Sequence, residues 1–536
     1  MLALQRRPRL AAQPSRRHAL LCALFAFALF AVGACAGAKP RQRPSGTLEL
    51  VVLHTNDIHG QVQPRPATWV DRRKPPLSGG LPRAAAMIER VRSEERAAGR
   101  AVLVLDGGDW YQGTPEGIVE LGRDFVRAIA AIDYDAVSIG NHEFDHGFDN
   151  LARLLNDARP PAICANLRER GKSERVSWVA PWRIVDAGGL RIALVGLLTP
   201  DTPSITHADA RRFDFAPGHE ELGRVKAELG QSVDLILPVG HIGIEEAREI
   251  ARAHPELPLI VTGHSHTFLR EGEREGDTLI VQAGAKASVV GRVDLAIDGP
   301  SAKVLSSSAK LLELLEEPRP QDRNARVDEL CASLVARADA AMREVVGELA
   351  APLSASGKPY STVAGSWMAD LIRARTQADV AFHNRGGVRA EIDAGPVTRR
   401  EVFEMSPFDN NLAILRLRGA ELEGLVRAAI DGRAHSGLDY SGCRVLVKEG
   451  REKLNVALTF QALEVGGKPL DPEAWYTVAT NSFLAGGGDG FDVLARCPER
   501  REDPLLLREL AELELRSKGA VTPPTDARIV AVGDRP

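Results

Sequence analysis

Five apolar, β-branched runs between residues 50 and 266 each end in side chains able to bind metal. LELVVLHTNDIHG delivers Asp57 and His59, and AVLVLDGGD delivers Asp109. DAVSIGNHEFD delivers Asn141 and His142, DLILPVGHIG delivers His241, and LPLIVTGHSH delivers His264 and His266. Carboxylate oxygen, amide oxygen and imidazole nitrogen together suit Zn, Mn, Fe or Ni better than Ca, which prefers an all-oxygen cage. The set is too large for one ion. With Asp109 shared, it divides into Asp57, His59 and His266 around one divalent ion and Asn141, His241 and His264 around another. Two such ions are an apparatus for hydrolysis. A single DxH or GNHE would mean little, because most isolated matches are loops with capping residues. Five strand ends in order carry the argument.

Short apolar runs bounded by Gly and polar residues predict buried strands, and ligands of open α/β sheets gather beyond the carboxyl ends of such strands. The ligand side chains are therefore expected along one rim. From Gly79, GGLPRAAAMIERVRSEERAAG has apolar residues at helical spacing and predicts the helix between the first two strands. A boundary follows at Glu316 to Asn324, where charge and Pro replace apolar periodicity. The next stretch, ARVDELCASLVARADAAMREVVGELA, reads as one long helix. From about Pro352 a second mixed α/β region runs to Pro536 and ends in the strand-like ARIVAVG. A chain of 536 residues exceeds what one core supports, so two domains are expected.

The formal net charge is -4, and the five Arg of the first 35 residues face no acid there, so the remainder is more acidic still. A nucleic-acid polymer is thereby disfavoured, whereas a small anion held by metals and local Arg is not. Arg6, Arg7, Arg9, Arg16 and Arg17 precede an uncharged stretch, Ala19 to Ala34, which reads as an export signal too short for a confident spanning helix. Val32, Gly33, Ala34 and Cys35 resemble a bacterial lipobox, implying lipidation at Cys35 and residence in the periplasm or cell envelope; cleavage near Ala34 or Ala38 is the plainer alternative. Ser15, Arg16, Arg17 and Leu20 resemble part of a twin-arginine signal, with Ala19 where that signal has an aromatic. Residues 36 to 46 suit a flexible tether. Cys164, Cys331, Cys443 and Cys497 are widely spaced without a CxxC, so buried free thiols are expected, with one disulfide as the alternative.

Three loops of the second region add recognition chemistry. Asn384, Arg385, Gly386, Gly387, Val388 and Arg389 combine glycines that admit close backbone approach with Arg forks that match phosphate. Ser406, Pro407, Phe408, Asp409, Asn410 and Asn411 form the second loop. Asn481, Ser482, Phe483, Leu484 and Ala485 lead into GGGDGF, which carries Asp489. Each alone is an ordinary turn or a core aromatic.

The metal-ligand runs resemble the calcineurin-like metallophosphoesterases, whose pattern is DxH, GD, GNH[ED], a later His, and GHxH. With the three loops added, residues 47 to 532 resemble the 5'-nucleotidase family. The resemblance implies an α/β protein: a four-layer αββα metallophosphoesterase domain at 47–315, a linker with a long helix at 316–351, and a second α/β substrate-binding domain at 352–536. It implies two divalent ions (Zn, Mn, Co or similar), attack by a metal-bridging hydroxide, and His142 with Asp145 as a catalytic dyad. It assigns nucleobase sandwiching to Phe408 and Phe483, ribose hydroxyls to Asp489, and substrate contacts to Asn384 and Arg389. It further implies a nucleotide substrate, domain rotation about the connecting helix and a monomer. His146 is expected to be a helix cap or a surface residue. Arg385 stands where the family often has Gly, and Lys358 and Ser361 where it often has Arg and Glu. Alternatives within the family are a 2',3'-cyclic-nucleotide phosphodiesterase with 3'-nucleotidase activity and a UDP-sugar pyrophosphatase. A thiosulfate-oxidation relative shares the architecture, and a non-catalytic surface binding protein would have lost ligands that are all present here.

Overall fold

The computed structural model describes residues 43–532 apart from 68–69, 72–73, 358–359 and 453–454. The basic leader, Cys35 and Lys358 lie outside the described residues.

Two six-stranded sheets build the first domain. In the first, the spatial order is Lys303–Glu313, Val289–Asp298, Thr47–Thr55, Ala101–Asp106, Ala136–Ser138 and Ala162–Ile163. In the second it is Glu273–Glu275, Thr278–Val281, Leu259–Thr262, Leu235–His241, Leu190–Leu198 and Trp182–Ala187. Alternation along each strand sorts side chains between two cores. Leu50, Val52, Leu103 and Leu105 face the other sheet and meet Leu194, Leu237, Val239, Leu259 and Val261. Val51, Leu53, Val102 and Val104 face outward, under the helices Leu81–Ala97, Arg123–Ala130 and Phe148–Ala158. On the far side Val195 and Ile260 pack under helices Gly218–Leu229 and Gly243–Ala253 through Leu222, Val225 and Ile250. The result is the expected four-layer αββα arrangement. It explains why the strands read as continuous apolar runs: both faces are covered, and each buried Leu or Val contributes about 1.5–3 kcal/mol.

The strands that end in ligands are parallel: Thr47–Thr55 to Ala101–Asp106 to Ala136–Ser138 in one sheet, and Leu235–His241 to Leu259–Thr262 in the other. Their carboxyl ends share one edge of the sandwich. The expected single rim is thus the joined rim of two stacked sheets.

The helix after the boundary spans Ala325–Met342, not the whole apolar stretch. Val345–Leu349 is instead a strand, paired antiparallel with Gly395–Thr398. Adjacent β-branched Val345 and Val346 favour this extended state. Val327, Leu330, Cys331 and Leu334 of the helix enter the first domain's core. It is part of that domain's helical layer rather than a free-standing connector.

The second domain holds a five-stranded sheet, ordered Leu438–Ser441, Val380–Asn384, Trp475–Asn481, Asn411–Arg418 and Arg500–Leu506. A four-stranded sheet includes Ile529–Ala531, the terminal strand expected from ARIVAVG. Cys164 and Cys331 are buried free thiols, and Cys443 and Cys497 are partly buried free thiols. No helix of the described residues is long and apolar enough to cross a membrane.

Candidate metal centre and adjoining cavity

All seven side chains expected to bind metal meet at the rim. Asp57, His59 and His266 form one close group, and Asp57, Asp109 and His241 form another. Asp109 Oδ2 lies 3.0 Å from His241 Nε2 and 3.8 Å from His59 Nε2. Asp57 belongs to both groups, its Oδ1 being 3.2 Å from His266 Nε2 and 4.0 Å from His241 Nε2. Its place in both was not expected. His264 Nδ1 lies 3.1 Å from Asn141 Oδ1.

The backbone is bent to make this possible. Asp57, His59, Asp109, His264 and His266 all have φ between 50° and 82°, the left-handed region. Each non-Gly residue there costs about 1 kcal/mol or more, and such strain gathers at functional sites. Close approach adds a further demand. A Cβ at Gly140 would lie 2.2 Å from Asp109 Oδ1.

Hydrogen bonds set the imidazole tautomers. His59 Nδ1 donates to Gln112 O at 2.9 Å, and His241 Nδ1 donates to Gly107 O at 2.8 Å. In each ring Nε2 is then the atom presented to the centre. His241 Nε2 is fully buried and has no aligned hydrogen-bond partner. Burial keeps His59 well below the ordinary imidazole pKa, and burial with His241 nearby brings His264 down to about 3. For His241, burial opposes charge but the Asp109 and Asp57 carboxylates win, pushing it up to about 10. The buried carboxylates thus favour positive charge beside them. The imidazoles of His59 and His264 held neutral, the Asp57 and Asp109 carboxylates, and the buried His241 Nε2 aimed at them fit divalent metal.

His142 sits beside the rim. Its Nδ1 donates to Asp145 Oδ2 at 2.6 Å, and its Nε2 lies 3.9 Å from Asp109 Oδ2. Burial opposes its charging, yet Asp145 and Asp109 together hold its pKa above the ordinary value. The expected pair is therefore formed. His146 is neither cap nor free surface: it is half-buried, stacked on Tyr111 at 5.7 Å, with Nδ1 3.0 Å from the Tyr111 hydroxyl.

Sequence reading gave no role to Glu143, the last residue of the GNHE run. Its buried carboxylate accepts the backbone N–H groups of Asp109 at 3.0 Å, Trp110 at 2.7 Å and Gly140 at 2.7 Å, fastening two ligand loops together. Its place in the run was the available signal. Thr206, which donates to Asp145 Oδ1 at 2.7 Å, offered none.

A cavity of about 1260 Å³ opens from His142 and is walled by both domains. Asn384, Arg389, Phe408, Phe483 and Asp489 all line it. Arg389 reaches the rim, with its guanidinium 3.3 Å from His59 Nε2. Phe408 stacks on His142 at 5.7 Å and 24°, with Arg389 at 5.9 Å from the same ring. Phe483 packs on Gly488, where a Cβ would come within 2.5 Å of the ring. Asn384 Nδ2 donates to Asp489 Oδ2 at 2.8 Å, and Asn481 Nδ2 donates to Asn384 Oδ1 at 2.9 Å. Arg385 also lines the cavity, with its guanidinium 3.7 Å from Asp439 and donating to the Leu438 carbonyl. Ser361 Oγ is buried without a hydrogen-bond partner.

Comparison with known proteins agrees with this geometry. Residues 50–268 match the calcineurin-like phosphoesterase family, and residues 345–496 match the 5'-nucleotidase C-terminal domain. A 5'-nucleotidase of Vibrio cholerae is 28% identical over 89% of this chain and 92% of its own length. Protein UshA of Escherichia coli is 28% identical over 84% of this chain and 88% of its own. Among solved structures, a 5'-nucleotidase precursor from Thermus thermophilus superposes with a TM-score of 0.78 at 28% identity, covering 91% of this chain and all of that one. The sulfate thiohydrolase SoxB of Thermus thermophilus shares the fold, with a TM-score of 0.75 at 19% identity. The chain thus carries a calcineurin-like phosphoesterase domain followed by a 5'-nucleotidase C-terminal domain, the two families whose models it matches.

Proposed function

We propose that this protein is a dinuclear-metal hydrolase that removes phosphate from nucleotides outside the cytoplasm. The observation that carries the reading is the single cavity joining the ligand rim of one domain to the Asn384, Arg389, Phe408, Phe483 and Asp489 loops of the other. Asp57, His59 and His266 would hold one ion and Asn141, His241 and His264 the other, with Asp109 between them. When bound, two ions lower the pKa of an attacking water and neutralise phosphate charge. The remaining work falls to side chains. Asp145 keeps the proton on His142 Nδ1, so that the charged ring offers its Nε2 proton to a phosphoryl or leaving oxygen. Arg389 supplies a planar fork for phosphate oxygens. Phe408 and Phe483 offer base-stacking faces, each worth about 1–3 kcal/mol, and Asp489 offers two acceptors to a ribose diol.

We place the division between the domains within residues 316–351, and we infer a monomer exported by its leader and anchored through lipidated Cys35. Detergent phase separation of wild type against Cys35→Ser tests the anchor; unmodified wild type wholly in the aqueous phase would leave simple cleavage. Phosphate release from AMP, 3'-AMP, cyclic AMP and UDP-glucose by protein reconstituted with Mn, Co or Zn tests the function. AMP should be the best substrate. Preference for 3'-AMP and cyclic AMP, or for UDP-glucose, would assign the chain to another activity.

A further inference from the structure

One segment of the first domain, residues 201–212, touches both halves of the site. It consists of the short helix Thr202–Ile205 and the helical turn Ala208–Arg212. Midway, Thr206 is only 6% exposed and donates its hydroxyl proton to Asp145 Oδ1 at 2.7 Å. The other oxygen of that carboxylate accepts from His142 Nδ1 at 2.6 Å. With both oxygens engaged, Asp145 cannot swing without losing a charge-assisted hydrogen bond. At the end of the segment, Arg211 crosses to the second domain and donates to the Gly486 carbonyl at 2.6 Å. At its start, Asp201 lies 3.4 Å from His435 Nδ1, and the backbone N–H of His435 donates to the Asp489 carbonyl at 3.1 Å. These two crossings bracket the turn that carries Asp489. Between Thr206 and Arg211 the segment is held down by buried Ala210 and by Asp209, whose carboxylate accepts the Phe148 N–H at 3.1 Å.

We propose that residues 201–212 couple recognition to chemistry. Thr206 is a positioning residue for Asp145 and His142, and Arg211 with Asp201 ties that pair to the Gly486–Asp489 turn. The dyad is then aligned when the far end of the cavity is closed. The Arg211 part rests on the nucleotide reading of that turn; the Thr206 part does not.

The test uses full-length protein loaded with Mn, assayed on AMP and on p-nitrophenyl phosphate, which has no ribose or base for the turn to hold. The variants are Thr206→Val, Thr206→Ser, Arg211→Met and the Thr206→Val/Arg211→Met double, each checked by thermal melting and metal content. Thr206→Val should lower kcat about tenfold on both substrates with KM nearly unmoved, because a hydrogen bond to a charged group is lost. Thr206→Ser should regain most of it. Arg211→Met should lower kcat/KM for AMP about tenfold and affect the small ester less. The double variant should lose less on AMP than the two single losses multiplied, because both changes release one segment. Wild-type kcat in Thr206→Val, or no recovery in Thr206→Ser, would remove the positioning role. Equal losses on both substrates in Arg211→Met, or strictly multiplicative losses in the double variant, would remove the coupling. Wild type that cleaves the small ester but not AMP would overturn the nucleotide reading, and the Thr206 comparison would still stand or fall on the small ester.

Discussion

Asp489 shows at the scale of one residue what the cavity demands of the fold. It is 7% exposed, has φ +55°, and burial pushes its carboxyl up to about 6 despite the donated hydrogen bond from Asn384. Its ordinary value is 3.8, so a raised folded value favours the folded state most below that pH and loses this advantage as pH rises through about 6. At neutral pH the ionised group is a net cost, of up to roughly 3 kcal/mol. Asp489→Asn keeps an oxygen for Asn384 and tolerates the left-handed backbone. It should therefore melt at a higher temperature at pH 7.5, while its KM for AMP rises several-fold because one acceptor faces the ribose diol. The difference in KM from wild type should narrow at pH 5, where wild-type Asp489 is itself mostly protonated. A lower melting temperature with unchanged KM would show Asp489 to be structural.

At the scale of elements, the parallel strands do the positioning and the turns beyond them supply the geometry. Gly140 follows the strand Ala136–Ser138 closely and leaves room for Asp109 Oδ1, 2.2 Å from where a Cβ would sit. Gly140→Ala should destabilise the protein by about 1–3 kcal/mol and weaken metal binding, seen as a lower melting temperature and reduced metal retention on dialysis. Full metal content at the wild-type melting temperature would mean that the two loops are looser than described. The strands and their ligands were legible because each apolar run is local and ends in its own functional residue. The span after Met342 was not: VVGEL continues an apolar pattern, and its partner strand Gly395–Thr398 lies far along the chain. Thr206 was invisible for the same reason. It reaches Asp145 from 61 positions away and belongs to no motif. Glu143 was in plain view, but its three backbone contacts exist only after two loops fold together.

At the scale of the whole molecule, labour in the proposed function is divided between the domains, whose residues line one cavity. Arg400 of the second domain pairs with buried Glu116 of the first at 2.7 Å, Lys286 donates to the Arg389 carbonyl at 3.0 Å, and Arg65 pairs with Glu404. Arg389 is thereby held against the rim while the turn around Asp489 closes the other end of the cavity. The central claim is that the rim performs hydrolysis on any accessible phosphate ester and the loops confer preference for nucleotides. The direct measurement is kcat/KM for AMP beside that for p-nitrophenyl phosphate, in wild type, Asp109→Ala and the Phe408→Ala/Phe483→Ala double variant, all verified as folded. Asp109→Ala should lose nearly all activity on both substrates, whereas the double Phe variant should lose up to a few kcal/mol of binding on AMP and far less on the small ester. Wild-type activity in Asp109→Ala, or equal losses on the two esters in the double Phe variant, would contradict the account.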